Sequence, residues 1–134
     1  MKGRVLSPGE ASGNALVLVE PLSLWGGLDP ATGELIDAHH PQRGAQLASQ
    51  VLVMPGGRGS SSSSSTLAEA ARAGHAPAGF LLGGPDLILA IGAAVVTELY
   101  RQRIPVVVLA ANDLAAIPDG AAVSIAEDGE VTLT

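Results

Sequence analysis

The chain has 134 residues, enough for one domain at roughly 150 residues each, and 47% hydrophobic against 15% charged residues with mean hydropathy +0.37 excludes a disordered segment or acidic tail. Seven Lys plus Arg against thirteen Asp plus Glu give a net charge of −6, which leaves no footprint for a phosphate backbone, and the three aromatics Trp25, Phe80 and Tyr100 cannot build a base-stacking platform. With no cysteine, this chain alone can hold neither a disulfide nor a thiolate-bound zinc or iron–sulfur cluster.

Residues Met1 to Arg4 lead into β-favouring sequence without a signal-peptide stretch, and the apolar run Leu87 to Val96 is too short to cross a bilayer. The expectation is a soluble, cytoplasmic protein forming one domain over residues 1–134. Gly3 to Leu6 and Asn14 to Val19 are short strand-like runs separated by turn residues, a hairpin or a pair of sheet strands. Pro21 to Arg43 is long for a loop, but Leu22, Leu24, Trp25 and Leu28 argue that it is ordered. Asp29-Pro30-Ala31-Thr32-Gly33 has turn chemistry and suggests a short returning strand over Glu34 to Asp37.

Gln50 to Met54 is an apolar run of strand length, followed by Pro55-Gly56-Gly57-Arg58-Gly59, six serines from Ser60 to Ser65, and a helix over Thr66 to Ala73 ended by Gly74. A strand over Ala78 to Leu82, a helix over Ile88 to Arg101 and a strand over Ile104 to Ala110 continue a parallel β/α pattern. Ala122 to Ile125 and Glu130 to Leu133 flank Asp128-Gly129, a type I′ hairpin signal. Strand runs at both ends of a β/α middle give a fold class of α/β, with a β/β/α arrangement whose central sheet carries helices on one face while the terminal strands pack elsewhere.

The sharpest motif is Gly57-Arg58-Gly59-Ser60 with Ser61 to Ser65, between a buried strand and a helix. Glycines admit close backbone approach, and a first helical turn with its dipole favours a carboxylate or phosphate, which Arg58 and the hydroxyls can also bind. A P-loop lysine and a third dinucleotide glycine are both missing. A serine tract can be a mere linker or cap, but a linker has no reason to sit between a buried strand and a helix. His39-His40-Pro41 with Asp37 lacks a third ligand at suitable spacing, so a loop-ordering or partner-contact role is expected rather than metal binding. Trp25 is expected to anchor an interface or fill a core gap, Asp29, Asp119 and Asp128 to form turns, and His75 to be a solvated residue after a helix.

Leu22-Ser23-Leu24-Trp25-Gly26-Gly27-Leu28-Asp29-Pro30, Thr32-Gly33, Ile36-Asp37, His39-His40-Pro41 and Gly57-Arg58-Gly59-Ser60 together resemble the small subunit of aconitase X enzymes, over essentially the whole chain. The resemblance implies a swivelling β/β/α domain, like the mobile fourth domain of aconitase, that closes over a larger iron–sulfur subunit. It also implies a hydro-lyase in which Ser60 is the base that takes the proton beside a carboxylate. Arg58, Gly59, Ser61 and Ser62 are then the candidate substrate-binding residues, and this chain binds no metal or cofactor itself. Aconitase follows its catalytic Gly-Ser with Ser and Arg; here Ser61 matches and Ser62 stands in place of the arginine.

The family reactions are dehydration of cis-3-hydroxy-L-proline and of mevalonate 5-phosphate. The alanine-rich chain and long serine tract favour the first, in hydroxyproline metabolism. The implied complex is a heterodimer or larger assembly, inactive without its large subunit. The reading from residues alone leaves a stand-alone small-anion-binding or interaction module as the alternative.

Overall fold

The computed structural model describes residues 1–56 and 61–134. Among these the elements in chain order are β1 (Arg4–Ser7), β2 (Ala11–Val17), β3 (Val51–Met54), α1 (Ser62–Ala73), β4 (Gly79–Leu82), α2 (Leu87–Tyr100), β5 (Val106–Val108), α3 (Ala111–Ala115), β6 (Ala122–Ile125) and β7 (Val131–Leu133). The strands form one sheet in the order β1-β5-β4-β3-β2-β6-β7. Strands β2 to β5 are mutually parallel, β1 runs antiparallel to β5, and the β6–β7 hairpin runs antiparallel to β2.

Period-two alternation with both faces buried explains the apolar runs. In β3, Leu52 and Met54 face α1 and α2, while Val51 and Val53 join a second core on the opposite face; all four are at most 2% exposed. Phe80 and Leu82 of β4 take the helix side and Leu81 the other, and Val106 and Val107 of β5 divide in the same way. The sheet curls until its two ends meet around that second core. Lys2 bridges Glu130, the Gly3 N–H donates to the Gly129 carbonyl at 3.0 Å, and the Val131 N–H donates to the Met1 carbonyl at 2.7 Å. Curling thus pairs backbone groups that an open edge would leave exposed.

Because β3, β4 and β5 are neighbours in the sheet, two right-handed crossovers put α1 and α2 on the same face. Helix α1 stops at Gly74, whose φ of 81° is left-handed; the His75 N–H reaches the Ala70 carbonyl and the Gly74 N–H the Ala71 carbonyl. No helix among the described residues is long and apolar enough to cross a membrane.

Several expectations need correction. Strands β1 and β2 are not a hairpin, since they belong to opposite halves of the sheet and each pairs with strands distant in sequence. Helix α1 begins at Ser62, four residues before Thr66, because tertiary burial of Ser63 outweighs the modest helix propensity of serine. The expected strand over Glu34 to Asp37 is reduced to single bridges, Leu28 with Leu35 and Glu34 with Gln46. The β6–β7 turn is not type I′: Gly129, at φ 92°, is its one residue with positive φ, and its N–H bonds the Ala126 carbonyl. That pattern is a type I turn with a glycine bulge. The short helix α3 falls in a stretch for which no element was expected.

Candidate functional site at the serine-rich helix start

In parallel α/β sheets ligands bind at the carboxyl ends of the strands, where helices begin. Here that edge carries the starts of α1, α2 and the short α3, and the two long helices differ in character there. At α2, the Asp86 carboxylate accepts hydrogen bonds from the N–H groups of Ile88 at 3.0 Å and Leu89 at 3.1 Å, so the chain supplies its own anion. At α1, the cap residue Ser61 makes no side-chain capping bond and the first turn holds no acidic residue. The start of α1, reached from β3 through Pro55 and Gly56, is the one suited to an outside carboxylate.

Arg58, Gly59 and Ser60 lie outside the described residues, as does Gly57. Ser61 and Ser62 are exposed at the start of α1. The rest of the serine run has a different role. Ser63 is buried, 4% exposed, with its Oγ 3.2 Å from the Ser23 Oγ and accepting a bond from the Trp25 N–H at 3.2 Å. Ser64 and Thr66 donate back to the carbonyls of Ser61 and Ser62. The Ser63 latch was missed from sequence, although its signal is present: it precedes Leu67, Ala70 and Ala71 at four-, seven- and eight-residue spacing, on the buried face of α1.

Through that latch the segment from Pro21 to Gln46 forms an arch against α1. Leu22, Leu24, Leu28 and Leu35 enter the helix-side core, each at most 2% exposed. Trp25 does the opposite: it is 61% exposed beside the start of α1, so it does not fill a core gap. His40 is buried and orders the arch. The Gln42 N–H donates to its Nδ1, which leaves Nε2 to donate to the Glu20 carbonyl at 3.1 Å. The Gln42 amide extends the end of β2, donating to the Val17 carbonyl and accepting from the Val19 N–H.

His39 is exposed, and its N–H is held by Asp37. His75 is not merely solvated, since its Nδ1 lies 3.2 Å from the Pro30 carbonyl and ties the arch to the far end of α1. Asp29 and Asp128 brace turns, whereas Asp119 reaches across to the Val17 N–H. No group of three or more His, Cys, Asp or Glu among the described residues could hold a metal ion. Along the same edge an apolar hollow of about 360 Å³ is lined by Leu18, Val53, Met54, Pro55, Gly83 and Leu114. A polar helix start, an exposed indole and an apolar hollow thus share one rim.

Comparison with known proteins agrees with this architecture. The chain is 47% identical over 117 residues to a cis-3-hydroxy-L-proline dehydratase of Pseudomonas aeruginosa, covering 86% of this chain and 20% of that protein. The chain therefore spans about a fifth of the length of that relative. It is 34% identical over 131 residues to the phosphomevalonate dehydratase small subunit of Thermococcus kodakarensis, covering 97% of this chain and 98% of that one. The fold superposes on a crystal structure of Thermococcus kodakaraensis aconitase X in its holo form with a TM-score of 0.87 and 33% identity, covering 99% of this chain and 96% of the other. The family model described as the aconitase X swivel domain matches residues 1–133. The family model covers nearly the whole chain and the fold superposes over almost all of it, and the chain belongs to the aconitase X swivel-domain family.

Proposed function

We propose that this chain is the swivelling partner of a larger aconitase-like subunit in the cytoplasm, and that the pair is a hydro-lyase dehydrating cis-3-hydroxy-L-proline. The observation that carries this is the 47% identity, over 86% of the chain, to a protein named for that reaction. Ser60 is the base: its oxygen takes the proton from the carbon beside the substrate carboxylate as the hydroxyl leaves the neighbouring carbon. A serine alkoxide is very unfavourable in water, so it needs clustered donors and a positive helix end, and a first turn of α1 with no acidic residue and no side-chain cap from Ser61 supports that role. Arg58, Gly59, Ser61 and Ser62 bind the carboxylate, with backbone N–H groups and hydroxyls replacing the arginine that aconitase carries at the position of Ser62.

An iron–sulfur cluster does not fit this chain, which has no cysteine and, among the described residues, no metal-binding cluster. We assign the cluster to the large subunit, without which this chain is inactive. A second reading, dehydration of mevalonate 5-phosphate, is favoured by the end-to-end match to the Thermococcus small subunit.

The test is Ser60→Ala in the complex reconstituted with its large subunit, assayed on both substrates. The expected result is turnover of cis-3-hydroxy-L-proline by wild type, and a loss of more than about 1,000-fold with unchanged association and folding, as for removal of an essential proton-transfer group. Turnover of mevalonate 5-phosphate alone selects the second reading. Full activity of Ser60→Ala removes the serine base, and loss of folding returns Ser60 to a structural role.

A further inference from the structure

Helix α2 has an outer face that its own domain leaves uncovered. Leu87 is 69%, Ile91 58% and Leu99 63% exposed. At about 100° per residue these three fall within an arc of about 120°, which also holds the half-buried Val95 and the exposed Glu98, the one charged side chain of the helix. Of the seven large hydrophobics exposed among the described residues, three are in this stripe.

The helix cannot turn to bury them. Its inner face is fixed by Leu89, Ala93 and Val96 in the core and by Gly92, where a Cβ would lie 3.1 Å from the Ser64 Cα. A helix apolar on both sides is a helix covered on both sides.

We infer that the outer stripe of α2, which runs from Leu87 at the rim to Leu99 at the far end of the helix, is the permanent dock for the large subunit. The occupant is indicated by length: in the Pseudomonas aeruginosa relative the matching region is 20% of the polypeptide, so a body about four times its size accompanies this domain. A domain that opens and closes over substrate needs one contact that persists while the other breaks. The serine-rich start of α1 is polar and suited to opening, whereas the α2 stripe carries three exposed large apolar side chains with Glu98 as its one charge and is suited to staying buried. The inference rests on the two-subunit reading above.

The test uses the purified chain and the aconitase-like large subunit from the same genome, with association followed by titration and turnover measured at saturation. Ile91→Glu with Leu99→Glu is expected to raise the half-saturating concentration about 100-fold or more, as loss of two apolar anchors does. It should leave thermal unfolding near wild type and turnover at saturation largely intact. Ser60→Ala should do the reverse, associating normally without turnover. Normal association of the double variant overturns the dock. A wild-type homodimer that the double variant dissolves overturns it too, in favour of a second copy. Failure of the wild-type chain to associate brings down the two-subunit reading itself, and the dock with it.

Discussion

Helices α1 and α2 lie side by side on one sheet, both starting at the same rim, yet they present opposite chemistry. Helix α1 buries Ser63, Leu67, Ala70 and Ala71 and turns Ser61, Ser62, Ser65, Glu69 and Arg72 outward. Arg72 pairs with Glu69 and holds its carboxyl below the ordinary carboxylate value, as befits a solvated face. Helix α2 buries Leu89, Gly92, Ala93 and Val96 and still turns Leu87, Ile91 and Leu99 outward. Their first turns differ in the reverse sense: α2 caps itself with Asp86, and α1 has no side-chain cap at Ser61. Two helices with the same packing role thus differ in what they leave open, α1 a polar first turn without a side-chain cap at Ser61 and α2 exposed leucine and isoleucine side chains along its flank.

The largest effect should separate buried from exposed leucines on α2. Leu89→Ala should cost about 2–5 kcal/mol by opening a cavity in the shared core, while Leu87→Ala, two residues away, should stay within about 0.5 kcal/mol. Chemical denaturation of both variants measures the gap, and equal losses would show that the outer face is packed within the domain after all.

Next comes the latch between α1 and the arch. Ser63→Ala strands the Trp25 N–H and should cost about 1–3 kcal/mol. Trp25 is the only tryptophan in the chain. Its fluorescence anisotropy should fall as the arch loosens, with helical circular dichroism retained; unchanged anisotropy would mean that the arch is held by its leucines alone.

The smallest effect compares the two caps. Asp86→Ala should cost about 0.5–2 kcal/mol, and Ser61→Ala close to nothing, since its hydroxyl makes no capping bond. A matching loss at Ser61 would mean that α1 is capped in solution and is less available to a carboxylate.

The β/α middle of the fold was legible because strands buried on both faces appear as continuous apolar runs, and because Gly74 marks a helix end with a left-handed residue. Pairing at the sheet ends was not legible. Whether β1 meets β2 or β5 depends on contacts about a hundred residues apart, which no local pattern encodes. The serine run misled on the start of α1, since serine is a modest helix former and burial of Ser63 is what extends the helix.

The site was legible as a motif rather than as geometry. Ser61 and Ser62 stand at the exposed helix start, and the spacing of Ser63 to Leu67, Ala70 and Ala71 carried the signal that it turns inward, but nothing local showed that His75 grips Pro30 or that Trp25 stays outside while its leucine neighbours go in. Those outcomes depend on how the arch folds back on α1, a tertiary choice.

The most direct test of the two-subunit account is to titrate the purified large subunit with this chain and follow dehydration of cis-3-hydroxy-L-proline. The account predicts no turnover by either component alone and a saturable rise on mixing, which the Ser60→Ala chain fails to produce. Full turnover by the large subunit alone, or equal turnover with Ser60→Ala, would contradict it.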